Sequence, residues 1–191
     1  MKKVGIIYDD VLLRHEPPVW HPDSPARLTT IISMLKASGF WDKLIPLSPQ
    51  QATFDDLARV HTDRYLDMVR NFGGGELDPD TFVSEGTLNA AQYAVGAVME
   101  AVEQCKQGAI ERAFCVIRPP GHHAEADQAM GFCISNNVAI GARYAQAKGY
   151  ERVFIIDFDA HHGNGTQHIF EEDDSVFYFS THQHPYYPET G

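Results

Sequence analysis

Two rhythms of apolar residues alternate along the chain. Short runs at 1–10, 113–117 and 152–156 are dense in β-branched and aromatic residues, and the last of them, Arg152-Val153-Phe154-Ile155-Ile156, is almost continuously apolar. Such a run predicts a strand buried on both faces of a parallel sheet. Between these runs the apolar positions recur at helical spacing. Ser24 with Pro25 opens a predicted helix that carries Leu28, Ile31, Ile32 and Leu35 on one face and closes near Gly39. Ser84 opens a longer one through Leu88, Ala91, Val95, Val98 and Val102 to Gly108, and Ser135 a third that runs to Gly149. Strands alternating with helices, without repeats, low-complexity tracts or linkers, predict a single α/β domain over 1–191.

Polar chemistry gathers where these strands end. Asp157-Phe158-Asp159-Ala160-His161-His162-Gly163-Asn164 follows the third apolar run, and Gly121-His122-His123-Ala124 follows the second by way of Arg118-Pro119-Pro120. In open parallel sheets the carboxyl ends of the strands form the ligand crevice. Alternation along an extended chain turns Asp157, Asp159 and His161 one way and Phe158, Ala160 and His162 the other. Asp159 and His161 together offer an oxygen and an imidazole nitrogen, a set that suits zinc and would accept iron(II), cobalt or manganese. Asp157 is better read as an acceptor that orients a histidine. Histidine as a residue type titrates near neutral pH, so a pair such as His122-His123 can take a proton from water and return it to a leaving amine, the chemistry of amide hydrolysis.

Four ordered motifs carry a resemblance. Pro-Pro-Gly-His-His-Ala (119–124), Ala-Met-Gly-Phe-Cys (129–133), Asp-Phe-Asp-Ala-His-His-Gly-Asn-Gly-Thr (157–166) and Ser-Thr-His-Gln…Pro-Tyr-Tyr-Pro-Glu-Thr-Gly (180–191) are together similar to the histone deacetylase and acetylpolyamine amidohydrolase superfamily. His21-Pro22-Asp23-Ser24-Pro25-Ala26-Arg27 resembles its opening motif, so the likeness spans nearly the whole chain. Asn164 and the 129–133 motif resemble the class II and bacterial branch.

The resemblance implies a three-layer arginase/deacetylase-like fold, with a central, mostly parallel sheet flanked by helices. It implies Asp159 and His161 as zinc ligands, His123 as general base and His122 as its electrostatic assistant, with Asp157 holding His122 and Asn164 holding His123. Gly131, Phe132 and Tyr187 match a channel wall for an acyl-lysine stem, and Asp80 matches a rim carboxylate that grips substrate backbone. A potassium ion is implied beside Asp157, Asp159, His161, Ser180 and Thr181. The family pattern also requires a third metal-binding aspartate and a carbonyl-polarising tyrosine from later segments. The 191 residues are therefore expected to be a C-terminally truncated catalytic domain, inactive alone. Its missing strands would leave an exposed edge, with poor solubility or a covering partner.

The implied activity is zinc-dependent removal of an acyl group from an N-acetylated amine, either acetyl-lysine or an acetylpolyamine. One alternative is a catalytically incomplete relative that binds acylated ligands or a partner. Another is a two-manganese arginase-like hydrolase, suggested by Asp159-Ala160-His161 but opposed by Gly163, which stands where that site wants a carboxylate.

Composition narrows the partners further. A formal charge of −11 argues against a nucleic-acid footprint and favours cationic substrates such as lysine side chains or polyamines. No apolar run is long enough to span a membrane, and the N-terminal apolar run is too short for a signal peptide, so a cytoplasmic location is expected. Self-association is compatible with the sequence but not specified by it. Cys105, Cys115 and Cys133 lack paired spacing and read as free thiols, with Cys133 a packing residue. In isolation a His-His pair is usually a loop or core feature; the Asp-x-Asp-x-His-His run beside it is what reverses that reading. His15, His61 and His168 read as structural or surface residues.

Overall fold

The computed structural model describes residues 3–191. Met1 and Lys2, at the head of the predicted first strand, lie outside the described residues. The three predicted strands form as β1 (Val4–Ile7), β5 (Arg112–Cys115) and β6 (Val153–Asp157). Strands β2 (Ile45–Leu47) and β7 (Val176–Ser180) join them. β1 lies between β2 and β5, all parallel, and β6 pairs with β7 in parallel, Asp157 opposite Ser180. Both groups present their carboxyl ends to the same pocket. A hairpin of β3 (Gly75–Asp78) and β4 (Thr81–Val83) stands apart from them.

The helices are α1 (Ala26–Ala37), α2 (Phe54–Leu57), α3 (Asp63–Asn71), α4 (Thr87–Lys106), α5 (Asn137–Ala147) and α6 (Asn164–Phe170). α1 buries Leu28 and Ile32 and half-buries Ile31 and Leu35, as its periodicity predicts. Two helix starts differ from the sequence reading. α4 begins at Thr87, with the Gly86 carbonyl accepting from the Ala90 N–H, because the Ser84 hydroxyl is taken by the Glu16 N–H (3.0 Å) instead of capping the helix. α5 is capped by the Asn136 side chain, which accepts from the Ala139 N–H, rather than by Ser135.

A second correction concerns β6. Val153, Ile155 and Asp157 face the α5/α6 side, where Ile155 packs with Ala139, Ala142, Phe170 and Val176. Phe154 and Ile156 point the other way and are 58% and 56% exposed, beside exposed Phe177 and Phe179 of β7. One face of β6 is therefore open, and among the described residues no strand pairs its edge away from β7.

Two buried polar clusters hold the loops around the pocket. Asp23 accepts from Arg118 Nε (2.9 Å) and Arg27 Nη1 (2.9 Å) and lies 3.2 Å from His15 Nε2. Arg118 is fully buried, and its remaining donors reach the carbonyls of Asp23 and Leu12. Burial alone would raise the Asp23 carboxyl, but His15 and Arg118 hold it well below the carboxylate range.

His61 ties together the loops on either side of residue 130. Its Nδ1 donates to the Glu125 carbonyl (3.0 Å), and its Nε2 accepts from the Asn136 N–H (3.0 Å). Burial pulls this imidazole down to about 4 from 6.5, against the neighbouring carbonyls, which favour the charged ring. The unfolded chain therefore binds this proton more tightly than the folded one. Stability from His61 should be full above pH 6.5 and fall as pH drops from 6.5 towards 4, by about 3 kcal/mol in total. Urea midpoints measured across that window should decline in the native protein and decline less in His61→Gln. Equal slopes for the two would refute this account.

Candidate active site

The loop that leaves β5 at Arg118-Pro119-Pro120 and the segment that leaves β6 at Phe158 meet over a cavity of about 320 Å³. Its lining includes Asp80, His122, His123, Gly131, Phe132, Asp159, His161 and Tyr187. Every catalytic, metal and substrate residue predicted from sequence lines this cavity except Asp157 and Asn164, which stand behind the histidines.

The two histidines are held differently. His122 Nδ1 donates to Asp157 Oδ2 (2.9 Å), and His123 Nδ1 donates to Asn164 Oδ1 (2.8 Å), with the ring centroids 4.0 Å apart. Asp157 also accepts from the Tyr178 hydroxyl (3.0 Å) and from the Asp159 N–H (3.1 Å). Burial pushes the Asp157 carboxyl up, yet His122 and these donors keep it below its ordinary value, so it is an anion at neutral pH. Burial, reinforced by the adjacent His122 ring, pulls His123 down to about 4, while the Asn164 amide acts in the opposite direction. His123 is thus neutral at physiological pH, with Nδ1 committed to Asn164 and Nε2 free to act as a base.

Glycine is required twice here. A Cβ on Gly163 would lie 2.2 Å from Asp157 Oδ2 and 2.9 Å from His122 Nδ1. That contact also leaves no room for the carboxylate a second metal would need, which disfavours the arginase-like alternative. A Cβ on Gly131, at φ 58°, would lie 2.3 Å from His123 Cδ2.

Asp159 and His161 both face the cavity. Asp159 Oδ1 and His161 Nδ1 are 3.1 Å apart, close to the edge of about 3.3 Å expected between two ligands bound about 2.0 Å from a tetrahedral ion. They therefore fit two corners of a zinc-type site. Among the described residues no group of three or more His, Cys, Asp or Glu side chains is arranged to hold a metal.

Phe132 adopts φ 69° and sets its ring edge-on to His21 at 4.5 Å, and Tyr187 meets His123 at 5.1 Å. Asp80 lines the cavity, but its Oδ1 accepts from the Gly131 N–H (3.1 Å), so it also pins the turn that carries the wall. Ser180 hydrogen-bonds His182 (2.8 Å), and Thr181 donates its N–H to the Asp157 carbonyl (3.0 Å). These two candidate potassium neighbours thus lie beside Asp157. Sequence reasoning missed Tyr178, which supports Asp157; alternation along β7 from Ser180, the partner of Asp157, could have placed it. It also missed Tyr186, which stacks on His161 at 5.4 Å and 23°.

The fold and site define a histone deacetylase-type domain. The histone deacetylase domain profile matches residues 21–191, and the chain belongs to that family. It is 39% identical over 191 residues to a probable deacetylase of Archaeoglobus fulgidus, an alignment that covers 98% of this chain and 53% of that protein. It is 34% identical over 194 residues to the polyamine deacetylase HDAC10 of Homo sapiens, covering 96% of this chain and 28% of that one. The crystal structure of the HDA15 HD domain superposes with a TM-score of 0.93 at 37% identity, over 98% of this chain and 58% of that one. The chain thus spans about half the length of the archaeal relative and of this structure. The match to the HDA15 domain establishes the three-layer α/β deacetylase fold. Among the described residues no helix is long and apolar enough to cross a membrane.

Proposed function

We propose that this chain supplies the proton-handling pair and two metal ligands of a zinc-dependent amidohydrolase that removes an acetyl group from an N-acetylated amine, acetyl-lysine or an acetylpolyamine. The observation that carries the reading is the His123–Asn164 bond, which leaves His123 Nε2 bare on a cavity shared with Asp159 and His161. A zinc, iron(II) or cobalt ion held by Asp159 and His161 supplies a Lewis acid for water and the amide carbonyl.

The residues of this chain do the rest. His123 Nε2 takes a proton from the attacking water as its oxygen bonds to the carbonyl carbon. His123 then returns the proton to the leaving nitrogen as the C–N bond breaks, giving a carboxylic acid and an amine, which exchange the remaining proton to become carboxylate and ammonium. His122, held by the Asp157 anion, sits beside this transfer, where a charge on its ring would favour the negative charge developing on the carbonyl oxygen and disfavour a proton lingering on His123. Phe132 and Tyr187 would flank an acyl-lysine or polyamine stem, with Asp80 at the rim, and the net charge of −11 suits a cationic substrate. Asp157, Asp159, His161, Ser180 and Thr181 form the candidate potassium environment. The protein is proposed to work in the cytoplasm.

Metal content by elemental analysis and turnover of acetyl-lysine peptide and acetylpolyamine, measured together on the complete gene product, test this reading. Asp159→Ala should lose both metal and turnover. A variant that keeps full turnover on either substrate removes Asp159 from the metal site.

A further inference from the structure

The Asn164 amide can be oriented two ways, and only its neighbours decide which end carries oxygen. Its Nδ2 lies 2.5 Å from Glu125 Oε1 and 3.3 Å from Met130 Sδ. A carboxylate and a thioether accept hydrogen bonds and donate none. The amide hydrogens are therefore fixed on the Glu125 side, and Oδ1 must face His123. An oxygen there can only accept, so His123 Nδ1 has to carry the proton and Nε2 has to be bare.

Glu125 is itself held in place. Its side chain is 18% exposed, and Oε1 also accepts from His168 Nδ1 at 2.9 Å. Its main-chain carbonyl is fixed by His61, and its N–H donates to the Gln128 carbonyl (2.9 Å). The donors run His168 to Glu125, Asn164 to Glu125, and His123 to Asn164, all directed towards the one carboxylate.

We infer that Glu125 is a positioning residue that selects the tautomer of His123 through Asn164, a role that rests on reading His123 as the base. If Asn164 turned over, its oxygen would face the Glu125 carboxylate with no proton between them. Its NH2 would meet Nδ1 and move the ring proton to Nε2, where it blocks proton uptake. Glu125→Gln is nearly isosteric and lifts that prohibition, because a glutamine amide can satisfy Asn164 in either orientation.

The test uses the complete gene product. Ring-nitrogen NMR of His123 should show a pure Nδ1–H tautomer in the native protein and a mixture in Glu125→Gln. A histidine base in the wrong tautomer costs up to about 10⁴-fold, as in the serine-protease triad, so kcat should fall in proportion to the Nε2–H fraction, about twofold for an equal mixture, with KM unchanged. Adding Asn164→Asp to Glu125→Gln should restore both tautomer and kcat, since a carboxylate accepts from His123 whichever way it turns. An Nε2–H tautomer in the native protein, or a pure Nδ1–H tautomer in Glu125→Gln, overturns the inference without reference to turnover. If His123→Ala stays active, the base reading falls by itself, and the tautomer measurement still decides what Glu125 does.

Discussion

His123→Ala is expected to lower deacetylation by about 10²–10⁴-fold while leaving bound metal unchanged. The ring does not share an atom with the metal pair: its Nδ1 is spent on Asn164, and its centroid is 6.1 Å from that of His161. Removing it takes away the proton carrier and opens a void beside Gly131, but it spares Asp159 and His161. His122→Ala should be the milder variant, since His122 Nδ1 is tied to the Asp157 anion and the ring assists through charge. Steady-state kinetics of both variants alongside elemental analysis separates the roles. If His122→Ala proves the more damaging while His123→Ala keeps more than a tenth of the native rate, the two assignments must be exchanged.

The largest stability effect should come from Asp23→Ala. The substitution leaves the Arg118 guanidinium buried with only carbonyl partners and His15 without its acceptor, and breaking such a buried pair costs about 3–5 kcal/mol. That is a large share of the 5–15 kcal/mol that typically holds a domain together. Because the folded Asp23 carboxyl is held below its unfolded value of 3.8, its contribution is present above that pH and lost only as pH falls through the lower folded value. Urea denaturation at neutral pH gives the number directly. A loss under about 1 kcal/mol would mean that water reaches Arg118 in the variant.

The site was readable because its residues announce themselves in short motifs. His122-His123 and Asp157 to Asn164 are local strings, and the bonds between them, across 35 and 41 residues, join one string to the other. Glu125 has no such signature. A glutamate in a polar loop looks solvated until Asn164 and His168 fold over it from α6. Asp23 was legible as part of an opening motif but not as the hub of a buried ion cluster, since its main partner, Arg118, is 95 residues away.

The open face of β6 was misread for a related reason. An apolar run shows that a strand can be buried and says nothing about what lies over each face. The β3–β4 hairpin went unread because Gly75-Glu76-Leu77-Asp78 lacks the β-branched density that marks the other strands. Helix bounds slipped by one to three residues where a side chain competed for the cap, as Asn136 did with Ser135.

The parallel pairing of β1 with β5 joins residues more than a hundred positions apart, Ile7 opposite Cys115. At a synthesis rate of about 5–20 residues per second, β1 leaves the ribosome roughly 5–20 s before its partner. For that interval Ile6 and Ile7 have no β5 ladder, and the Arg118-Pro119-Pro120 loop that follows β5 has yet to emerge. The histidine pair can find its place only after this closure, so the onset of activity should be postponed by any delay in it, including one imposed by a chaperone that holds the first strand.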